Sequence, residues 1–567
     1  MSMIKESDFL ALIEAAADLA DLRNSRYFVL RSAIERKQFA SILRAREVNG
    51  DLASTTKGWK ALEKWASSGT SQGLRLRNPA KLPEWAKSVR RMLSDFPRTK
   101  PRQQGALSQR FAKFGTAYGR AELQRRLKRR EGYPFSTSVL RCFEKQLENL
   151  LADALRSCLE FDLKAFEAAI RCVFPVRGDL LRTQVEREFI GERASERLIA
   201  LFQNHPALAK LWAHLIGAWV EKVVELASRL RKDFHALRQT FFKGRNPGVL
   251  VDVTLNISDP HRGGRETIIL GFRGGRVVYK PRSGQGEDEW FSFVRWVNQR
   301  GFEPGLRAVE LLRRRNYYWA EFIEPSVCVT QEEVHRYYRR GGGLLCAAFL
   351  FGAVDCHRDN LIAAGDHPVL IDAETLFHPE GDLSSPEKDR SITRTGLLPT
   401  RESSLPVSGE LAALGGAVGK HTPTLRGRYL SALDYWADVV QGFRDMWMLI
   451  GNPRAQAAEA FRRRLHRLAG RPWRRIYRSS KLYHDIRTES LAARALKSGL
   501  DRSQTIARAL VRHRTNVPIT LEEISAIERF DIPCFLETPC ETFLGARAGT
   551  LSGLLSGVRS ALRAPPN

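Results

Sequence analysis

The chain has 567 residues, 43% of them hydrophobic, so it is long enough for two to four domains and apolar enough to bury their cores. This composition excludes an intrinsically disordered protein. Its eight cysteines are scattered without CxxC pairs, which excludes the disulfide framework of a small secreted protein. No stretch approaches the roughly 18 apolar residues of a membrane span, and the first residues lack the basic-then-apolar pattern of a signal peptide. We therefore expect a cytoplasmic protein.

The chain is strongly basic, with 91 Lys and Arg against 63 Asp and Glu and a net charge of +28. Clusters such as Arg125–Arg130 and Arg462–Arg464 could bind nucleic acid. They could equally be solvated helix faces, enriched in Arg by high-GC coding. A third reading is a surface that attracts an acidic leader segment of a peptide substrate through long-range steering. Of these three interpretations, nucleic-acid binding is the one that we do not expect.

Residues 1–245 are predicted to be helical, because apolar residues recur at spacings of three and four, as in Leu147, Leu150, Leu151 and Leu155. This region carries no chemistry that the sequence reveals. It is therefore either a scaffold or a platform for a leader peptide.

Residues 246–330 shift to β-prone runs with Gly turns, as in the small lobe of a kinase, and residues 331–567 return to a mainly helical pattern, as in a large lobe. The chain is thus predicted to have an α+β fold. One stretch rich in Gly, Ser, Thr and Pro, residues 382–423, is predicted to be a long loop that contacts substrate or orders on binding.

Two segments of the small lobe could bind phosphate. The loop Ser258–Arg265 could fold over phosphates with its backbone N–H groups, although any Gly-containing hairpin has this pattern. The run Arg276–Arg282 is a predicted strand whose alternation places Val278 and Lys280 on one face. Lys280 is either a surface residue that guards a strand end or a phosphate clamp in a cleft. Its order before the acidic loop described below favours the clamp.

Signals for a connector and a helix follow the small lobe. Residues 317–324 are predicted to be a strand that leads to a connector able to hold adenine through backbone groups. Thr330 and Glu333 have the spacing of a helix capping box. The helical segments that come next are predicted to be interrupted at Gly341–Gly343.

The most informative tract is Asp355-Cys-His357-Arg-Asp-Asn360. A kinase catalytic loop places its base Asp five positions before a metal-binding Asn, and a second metal-binding Asp follows a short hairpin. Residues 361–371 fit such a hairpin, with a turn over 365–368, and Asp372 would leave its second strand. The spacing therefore predicts Asp355 as the base and Asn360 with Asp372 as ligands of Mg²⁺.

The neighbouring Asp359 completes a kinase-like His-Arg-Asp triplet, but five residues beyond it lies Ala364, which cannot bind a metal. The base is therefore assigned to Asp355. His357 either ties this loop together by hydrogen bonds or takes part directly in catalysis, and the two roles are compatible.

The role of Glu374 and the ion-pair partner of Lys280 each have more than one interpretation. Glu374 is either a second metal ligand or a residue that orients Lys280. The helix after the Lys begins with Glu287, Asp288 and Glu289, any of which could pair with Lys280 instead. The thiol of Cys356, inside the loop, is expected to pack rather than to act as a nucleophile.

Seven tracts occur in one order along the chain. They are Ser-Asp259-Pro-His261, Val278-Tyr-Lys280-Pro-Arg282, Asp355-x-His357-x-x-Asn360, Pro368-Val-Leu-Ile-Asp372-x-Glu374, Arg394-Thr-Gly-Leu-Leu-Pro399, Arg474-Arg-Ile-Tyr-Arg478-Ser-Ser480-x-x-Tyr483 and Asp531-Ile-Pro-Cys-Phe535. Together they resemble the dehydratase domain of LanM-type (class II) lanthipeptide synthetases. The resemblance extends over residues 100–545, and its combined motifs are highly specific.

The resemblance implies a lipid-kinase-like, two-lobed core that uses ATP and Mg²⁺ to phosphorylate Ser and Thr of a ribosomal precursor peptide. The same site would then eliminate the phosphate, which gives dehydroalanine from Ser and dehydrobutyrine from Thr. The matching positions imply catalytic roles for Asp355, His357, Lys280, Arg474 and Ser480. They imply cofactor binding by Asp259, His261, Lys280 and Arg282, and metal binding by Asn360, Asp372 and Glu374.

The chain departs from this family at two points. Ser480 stands where the family usually has Thr, which keeps the hydroxyl and loses the methyl. After Cys540 there are only 27 residues, without Cys or His, so the zinc site of a C-terminal LanC-like cyclase is not expected. We expect a dehydratase module alone, with ring closure, if any, by a separate LanC-like chain. The alternatives are a peptide Ser/Thr kinase without elimination and a non-catalytic basic scaffold or nucleic-acid binder.

Overall fold

A computed structural model describes most of the chain. The residues that it describes are 4–23, 26–30, 64–65, 74–96, 105–128, 135–173, 182–191, 193–378, 392–399, 412–452, 454, 457–513, 519–539 and 551–563. These residues form helices and several small antiparallel sheets, so the predicted α+β class is confirmed. They divide into two compact units, each built from more than one segment of the chain.

The first unit comprises the described residues of Met1–His235, Gly248–Arg273 and Ser480–Pro533. Its helices are Glu6–Ala16, Leu19–Arg23, Glu84–Asp95, Leu107–Lys128, Thr137–Val173, Arg182–Ile190, Ala194–Asn204, the part of Pro206–Phe242 up to His235, Ser480–Glu489, Gly499–Arg512 and Leu521–Glu528, with a 3₁₀ turn at Ala495–Lys497. Its strands form two antiparallel pairs, Phe28–Leu30 with Leu74–Leu76 and Leu250–Thr254 with Ile268–Phe272.

The second unit comprises Ala236–Pro247 and the described residues of Gly274–Ser479 and Cys534–Asn567. Its helices are Gln285–Gln299, Gln331–Phe351, Trp436–Met446, Ala458–Ala469 and Leu551–Arg563, with 3₁₀ turns at Arg358–Asn360 and Ile392–Thr395 and a π turn at Trp447–Gly451. Its strands are Gly275–Lys280, Leu311–Arg313, Tyr318–Glu321, Leu361–Ala364, His367–Leu370, Thr424–Leu425, Arg428–Tyr429, Trp473–Arg475 and Phe535–Glu537. The division between the units at residues 273 and 274 falls inside the segment 246–330, and the assignment of lobes stays a prediction.

The leucine stripe predicted in the N-terminal region lies on the helix Thr137–Val173. Leu147, Leu151 and Leu155 are fully buried, whereas Leu150 is half-buried. The neighbouring helix Leu107–Lys128 approaches closely at Gly115 and Gly119, where an added Cβ would lie 2.6 Å from Leu151 and 2.9 Å from Leu147. The stripe is therefore core, which supports the scaffold reading of this region.

A group of charged side chains lies inside the same unit. Lys210 forms buried ion pairs with Asp18 and Asp21, the second with an Nζ to Oδ2 distance of 2.5 Å. Nearby, the hydroxyl of Ser503 donates to the carboxylate of Glu528, a residue that is only 3% exposed. Burial, reinforced by the charge of Asp18, raises the pKa of Glu528 to about 8. A buried carboxyl group that stays protonated near neutral pH makes the stability of this unit depend on pH.

Glu528→Gln is expected to stabilise the protein in alkaline solution and to change it little in acid. The folded state keeps the proton that the unfolded state releases above its ordinary pKa of 4.5, so wild-type stability falls as pH rises from 4.5 to about 8. Gln does not titrate, so its contribution does not fall with pH. The free energy of unfolding of the variant should therefore exceed that of the wild type by a few kcal/mol, at most ~5, at pH 8. Urea unfolding at pH 5 and pH 8.5 measures it. A variant that is less stable at both pH values would show that Glu528 is buried as an ion.

In the second unit, the helix Gln331–Phe351 leads to the acidic loop, residues Asp355–Asn360. Its N-cap is Thr330, whose hydroxyl accepts from the backbone N–H of Glu333 at 3.3 Å, as the sequence predicts. The Glu333 carboxylate accepts from the backbone of Val329 rather than from Thr330. The helix ends at Gly352, which adopts the left-handed conformation that favours glycine.

The predicted interruption at Gly341–Gly343 is wrong, because the helix runs through all three glycines. They serve a close contact with the helix Trp436–Met446 and with a neighbouring ring instead. A Cβ on Gly342 would lie 1.9 Å from the carbonyl oxygen of Val439, and one on Gly343 would lie 2.3 Å from the ring of Phe302. The loss of helix propensity at three glycines is offset by packing of the two backbones.

Gly342→Ala is expected to destabilise the protein by about 2–4 kcal/mol, since the added methyl group meets backbone that cannot move without shifting a whole helix. Gly341→Ala is the matched control. Its Cβ would lie 3.3 Å from the flexible end of the Leu414 side chain, and Ala is the better helix former by about 1 kcal/mol. Thermal unfolding compares the two. Equal effects of both substitutions would contradict a backbone contact.

No helix among the described residues is long and apolar enough to cross a membrane. Seven cysteines lie in that part of the chain, and all seven are free thiols. Cys356, in the acidic loop, is buried, and burial raises the pKa of its thiol well above the usual range. A buried thiol with a raised pKa agrees with the expected packing role.

Candidate active site

The lysine predicted to be a phosphate clamp ends the strand Gly275–Lys280 and pairs with Tyr318 on the neighbouring strand. Lys280 is 5% exposed, so it is not a surface residue. Its ammonium group donates to the carbonyl oxygen of Ile371 at 2.9 Å and lies 3.2 Å from the carboxylate of Asp372. Burial lowers the pKa of Lys280, and the charge of Asp372 partly opposes this shift.

Arg282 is the cation with the most ionic contacts in this cluster. One guanidinium nitrogen donates to both carboxylate oxygens of Asp372, at 2.8 and 2.9 Å. The other lies 2.7 Å from Oε1 of Glu287 and 2.8 Å from Oε2 of Glu374. Burial acts to lower the pKa of Arg282, but the surrounding carboxylates raise it well above the usual range. A planar guanidinium suits this role because it can face several carboxylates at once.

The two predicted metal-binding carboxylates belong to this cluster. Burial acts to raise the pKa of Asp372, but Arg282, Lys280 and Arg474 together hold it far below its usual range. Glu374 contacts Arg282 through one oxygen and Arg474 through the other. Both carboxylates are therefore held by cations, and Asp372 stays ionised across the physiological pH range.

Of the three acidic residues at the start of the next helix, Glu287 is the one that lies near Lys280, at a longer distance than Asp372. Glu287 is 1% exposed, in the first turn of the helix Gln285–Gln299, and lies 4.0 Å from the Lys280 ammonium. The helix can approach because Gly286 has no side chain: a Cβ there would lie 2.5 Å from the carbonyl oxygen of Ala373. The following residues, Asp288 and Glu289, pair with arginines elsewhere.

The predicted hairpin is present as Leu361–Ala364 paired with His367–Leu370. Its turn is shorter than expected, since His367 and Pro368 already belong to the second strand. At its open end the backbone N–H of Ile371 donates to the carbonyl oxygen of Asn360 at 2.8 Å. The hairpin thus brings Asn360 next to the residue that precedes Asp372.

The predicted base lies in a strained backbone conformation. Asp355 has a φ of 66°, in the left-handed region that non-glycine residues rarely adopt. Its carbonyl oxygen accepts from the side-chain amide of Asn360 at 2.8 Å, and its carboxylate lies 3.4 Å from Nε2 of His357. These contacts hold Asp355 in a conformation of a kind that clusters at functional sites.

His357 ties the loop together, as one of its two readings expects. Its Nδ1 accepts from the backbone N–H of Asp359 at 3.2 Å. Burial acts to lower its pKa, but the hydrogen bond and charge of Asp355, with smaller effects of Asp359 and Asp372, raise it overall. The Asp359 side chain itself is 63% exposed, which agrees with the choice of Asp355 over Asp359 as the base.

Arg474 adds a third cation beside Glu374. It lies on the short strand Trp473–Arg475, which pairs with Phe535–Glu537. A cavity of about 170 Å³ adjoins it, lined by Phe377, Trp473, Arg474, Arg475, Glu537, Thr538 and Pro539. Arg474 is thus positioned to contact an anion that reaches the second unit's carboxylate cluster.

The donor chemistry of the predicted metal site fits Mg²⁺. No group of three or more His, Cys, Asp or Glu side chains in the described part of the chain is arranged to hold a metal ion. Mg²⁺ does not need such a cage, because it keeps several waters and commonly takes one or two carboxylates plus substrate phosphates. Asn360, Asp372 and Glu374 offer hard oxygen donors of that kind. Their role as ligands stays a prediction.

The other predicted cofactor-binding residues belong to the first unit. In the loop Ser258–Arg265, the backbone N–H groups of Gly263 and Gly264 both donate to the carboxylate of Asp531, at 2.7 Å. His261 donates from Nδ1 to the carbonyl oxygen of Ile532 at 2.7 Å. Two of the amides that the sequence offered to phosphate therefore hold an internal carboxylate in this structure. The first and last of the seven sequence tracts are joined by these bonds.

Asp259, in the same loop, lies beside a histidine that no sequence tract contains. Nε2 of His484 is 2.7 Å from its carboxylate, and the hydroxyl of Ser480 also hydrogen-bonds to it. Burial acts to raise the pKa of Asp259, but these contacts and the charge of His484 lower it overall. Asp259 and His484 line a cavity of about 390 Å³.

Of the four residues that hold the predicted ones in place, the sequence named Glu287 as a candidate partner of Lys280 but gave no role to Asp531, His484 or Arg487. Glu287 carried a signal, since it stood among three acidic residues at a helix start. Asp531 stood in one of the seven tracts but without a role. His484 gave no signal, because its partner Asp259 lies 225 positions away in the chain. Arg487 gave none either, because a spacing of three residues, as between His484 and Arg487, is common on any helix.

Comparisons with known proteins show the family to which the chain belongs. A family model described as "Domain of unknown function (DUF4135)" matches residues 205–422 and 412–537, which together make up more than half of the chain. The chain therefore belongs to the DUF4135 family. Every predicted site residue, from Asp259 to Ser480, lies within the matched span.

A curated relative is the lacticin 481/lactococcin biosynthesis protein LcnDR2 of Lactococcus lactis subsp. lactis. It is 21% identical to this chain over an alignment of 284 positions, and the alignment covers 41% of this chain. The aligned part covers 30% of the relative, so this chain matches less than a third of that protein's length.

Proposed function

We propose that this protein is a lanthipeptide-type dehydratase that acts on Ser and Thr of a ribosomal precursor peptide with ATP and Mg²⁺. The observation that carries the proposal is the buried cluster of Lys280, Arg282, Glu287 and Asp372 next to the Asp355 to Asn360 loop. A strand Lys, a Glu on the next helix and an Asp after a hairpin are the parts that position nucleotide phosphates in kinases. This order supports a lipid-kinase-like core. The kinship to a lacticin biosynthesis protein supports a peptide substrate.

In the phosphorylation step, Asp355 takes the proton of the substrate hydroxyl while the hydroxyl oxygen bonds to the γ-phosphorus of ATP. The bond between the γ-phosphorus and the oxygen that bridges to the β-phosphate breaks, and ADP leaves. His357 holds Asp355, and Asn360, Asp372 and Glu374 would hold the metal. Mg²⁺, when bound, neutralises charge on the phosphates. Lys280 and Arg282 would bind the phosphate oxygens; the support is that both are cations within hydrogen-bond distance of the carboxylate of Asp372.

In the elimination step, a base removes the α-proton, the bond from Cβ to the phosphate oxygen breaks, and a double bond forms between Cα and Cβ. Hydroxide is a poor leaving group, so prior phosphorylation makes this departure feasible. Arg474 would stabilise the departing phosphate, since its guanidinium already contacts a carboxylate. Ser480 keeps the hydroxyl at the position where the resembling family usually has Thr.

The net charge of +28 favours an acidic partner. We propose that the basic surface attracts an acidic leader segment and that a separate LanC-like cyclase closes any rings. Leader binding should therefore weaken as salt is added. Binding that salt does not change would remove the electrostatic part of this proposal.

Mass spectrometry of a precursor peptide encoded beside this gene, after incubation with the protein, ATP and Mg²⁺, tests the proposal. Loss of one water per modified Ser or Thr is the expected product. Accumulated phosphopeptide, with no water loss, would instead identify a peptide Ser/Thr kinase without elimination. An unmodified peptide together with no binding of Mg·ATP would favour the non-catalytic alternative.

A further inference from the structure

His484 contacts Asp259, a predicted site residue of the first unit, and none of the sequence motifs contains it. It lies in the second turn of the helix Ser480–Glu489, with its side chain 40% exposed. Nε2 lies 2.7 Å from Oδ1 of Asp259, and Nδ1 lies 2.8 Å from Nη2 of Arg487. The ring thus connects a carboxylate to a guanidinium.

The two partners determine which ring nitrogen carries hydrogen. A guanidinium can only donate, so Nδ1 must be the acceptor in its hydrogen bond with Arg487. A carboxylate can only accept when it is ionised, so the hydrogen of the ring lies on Nε2 and points to Asp259. The geometry therefore selects one tautomer of His484, in the same way that a second residue orients a catalytic or metal-binding imidazole.

Arg487 is itself fixed in place. Its Nη1 donates to the carbonyl oxygen of Phe530 at 3.1 Å, and its guanidinium lies 4.4 Å from the centre of the Phe530 ring. Phe530 precedes Asp531, whose carboxylate holds the loop that contains Asp259. The chain from Phe530 through Arg487 and His484 to Asp259 is thus closed on itself by hydrogen bonds.

The Asp259 carboxylate stands at the wall of the 390 Å³ cavity, and its position depends on this chain of bonds. The loop that carries it is anchored on the other side by Glu266, which accepts from the backbone N–H of Asn256 at 2.8 Å and pairs with the buried Lys222. Between these anchors, the contacts that reach Asp259 itself come from His484 and Ser480.

We propose that His484 is a positioning residue, which presents the Asp259 carboxylate to the cavity in one orientation while Arg487 keeps the ring in the Nε2–H tautomer. This inference rests on the proposed function, which gives Asp259 its role as one of the residues expected to bind cofactor. It assigns no new catalytic group. It adds two residues to the set on which the reaction depends.

The tautomer can be measured without any activity. The full-length protein labelled with ¹⁵N-histidine, with the His484 signal identified by its loss in His484→Gln, should show Nδ1 as an unprotonated nitrogen and Nε2 as a protonated one. In Arg487→Met the Nδ1 signal should shift, because that nitrogen loses its hydrogen-bond donor, while Asp259 still holds the proton on Nε2. An Nδ1–H tautomer in the wild type, or an unchanged spectrum in Arg487→Met, would overturn the proposal.

The second readout is the rate of peptide modification. His484→Ala should lower the rate roughly ten- to a hundredfold, the loss expected for one hydrogen bond to a charged group, while the folded fraction is unchanged by circular dichroism. His484→Gln should restore most of it, because its amide can donate to Asp259. A purely structural role predicts no such difference between Ala and Gln of similar stability.

A double-mutant comparison separates the roles further. In the Asp259→Asn background, His484→Ala should cause little further loss, since the residue acts through Asp259. Additive losses would overturn the proposal. If the wild type modifies no peptide, the proposed function fails, but the tautomer measurement still decides whether Arg487 and His484 form the arrangement described here.

Discussion

Arg282→Gln is expected to destabilise the protein by about 3–5 kcal/mol and to abolish nucleotide-dependent activity. The substitution removes the cation that contacts Asp372, Glu287 and Glu374 at 2.7–2.9 Å. Glu287 is 1% exposed and cannot turn to water. Without Arg282 its negative charge would stay buried near the carboxylates of Asp372 and Glu374, with the ammonium group of Lys280 4.0 Å away. Removing one partner of a buried ion pair costs far more than the pair contributes net, because the remaining charge keeps its desolvation penalty.

Arg276→Gln is the matched control, because it removes an arginine from the strand Gly275–Lys280, which ends two residues before Arg282. Its guanidinium lies 3.6 Å from Glu324, and both side chains are more than half exposed. Such a pair is worth about 0–1 kcal/mol, so this variant should unfold close to the wild type. Urea unfolding of both variants gives the comparison. Equal, small effects would mean that the carboxylates near Arg282 are solvated rather than held by it.

Arg282→Lys should recover part of the stability but not all of it. An ammonium group can replace one charge, yet it cannot face three carboxylates as a planar guanidinium does.

The low pKa of Asp372 adds a pH dependence to the stability of the protein. The contribution of Asp372 to the free energy of unfolding is complete above its ordinary pKa of 3.8 and is lost as pH falls through the depressed value. The difference between wild type and Arg282→Gln should therefore shrink in strong acid.

Asp355→Asn is expected to lower phosphoryl transfer by roughly 10²–10⁴-fold, the usual contribution of a general base, while the protein stays folded. Asn has nearly the same shape and is among the residues that best tolerate the left-handed conformation seen at this position, where φ is 66°. The amide cannot take the proton of the substrate hydroxyl. Its backbone carbonyl still accepts from Asn360, so the loop should keep its conformation.

Asp359→Asn is the control for Asp355→Asn. Asp359 is four residues further along the same loop and completes the kinase-like triplet, but its side chain is 63% exposed. This variant should retain activity within a few fold of the wild type. Steady-state rates with a peptide substrate compare the two. If Asp359→Asn proved inactive and Asp355→Asn active, the base would have to be reassigned.

The parts of the site that the sequence predicts are local in the chain. The hairpin after Asn360 follows from two β-prone runs around a Gly turn, and the Thr330 cap follows from one spacing of three residues. The strand that ends at Lys280 follows from alternation. Each of these depends on side chains within ten residues, so a single sequence is enough to find them.

The glycines of the helix before the loop show where a local reading fails. A run of three glycines lowers helix propensity and therefore predicts a break at Gly341–Gly343. The reason that the helix continues lies about 100 residues further along, in the backbone of Val439. Packing against that helix compensates for the propensity, and no pattern near the glycines reports it.

Long-range partners account for the rest of what the sequence could not supply. Asp259 and His484 are 225 positions apart, and Gly263 and Asp531 are 268 apart. The order of the seven tracts indicated that they belong together, but not which atoms meet. Three acidic neighbours at the start of one helix could have faced Lys280, and the close approach at Gly286 brings Glu287 to it.

The most direct test of the phosphoryl-transfer centre follows the γ-phosphate of radiolabelled ATP in the presence of Mg²⁺ and a precursor peptide. The wild type should transfer label to the peptide, or release it as inorganic phosphate only when the peptide is present, and Asp355→Asn should do neither. Label release that is independent of peptide and unaffected by Asp355→Asn would contradict the central claim that this cluster phosphorylates a peptide.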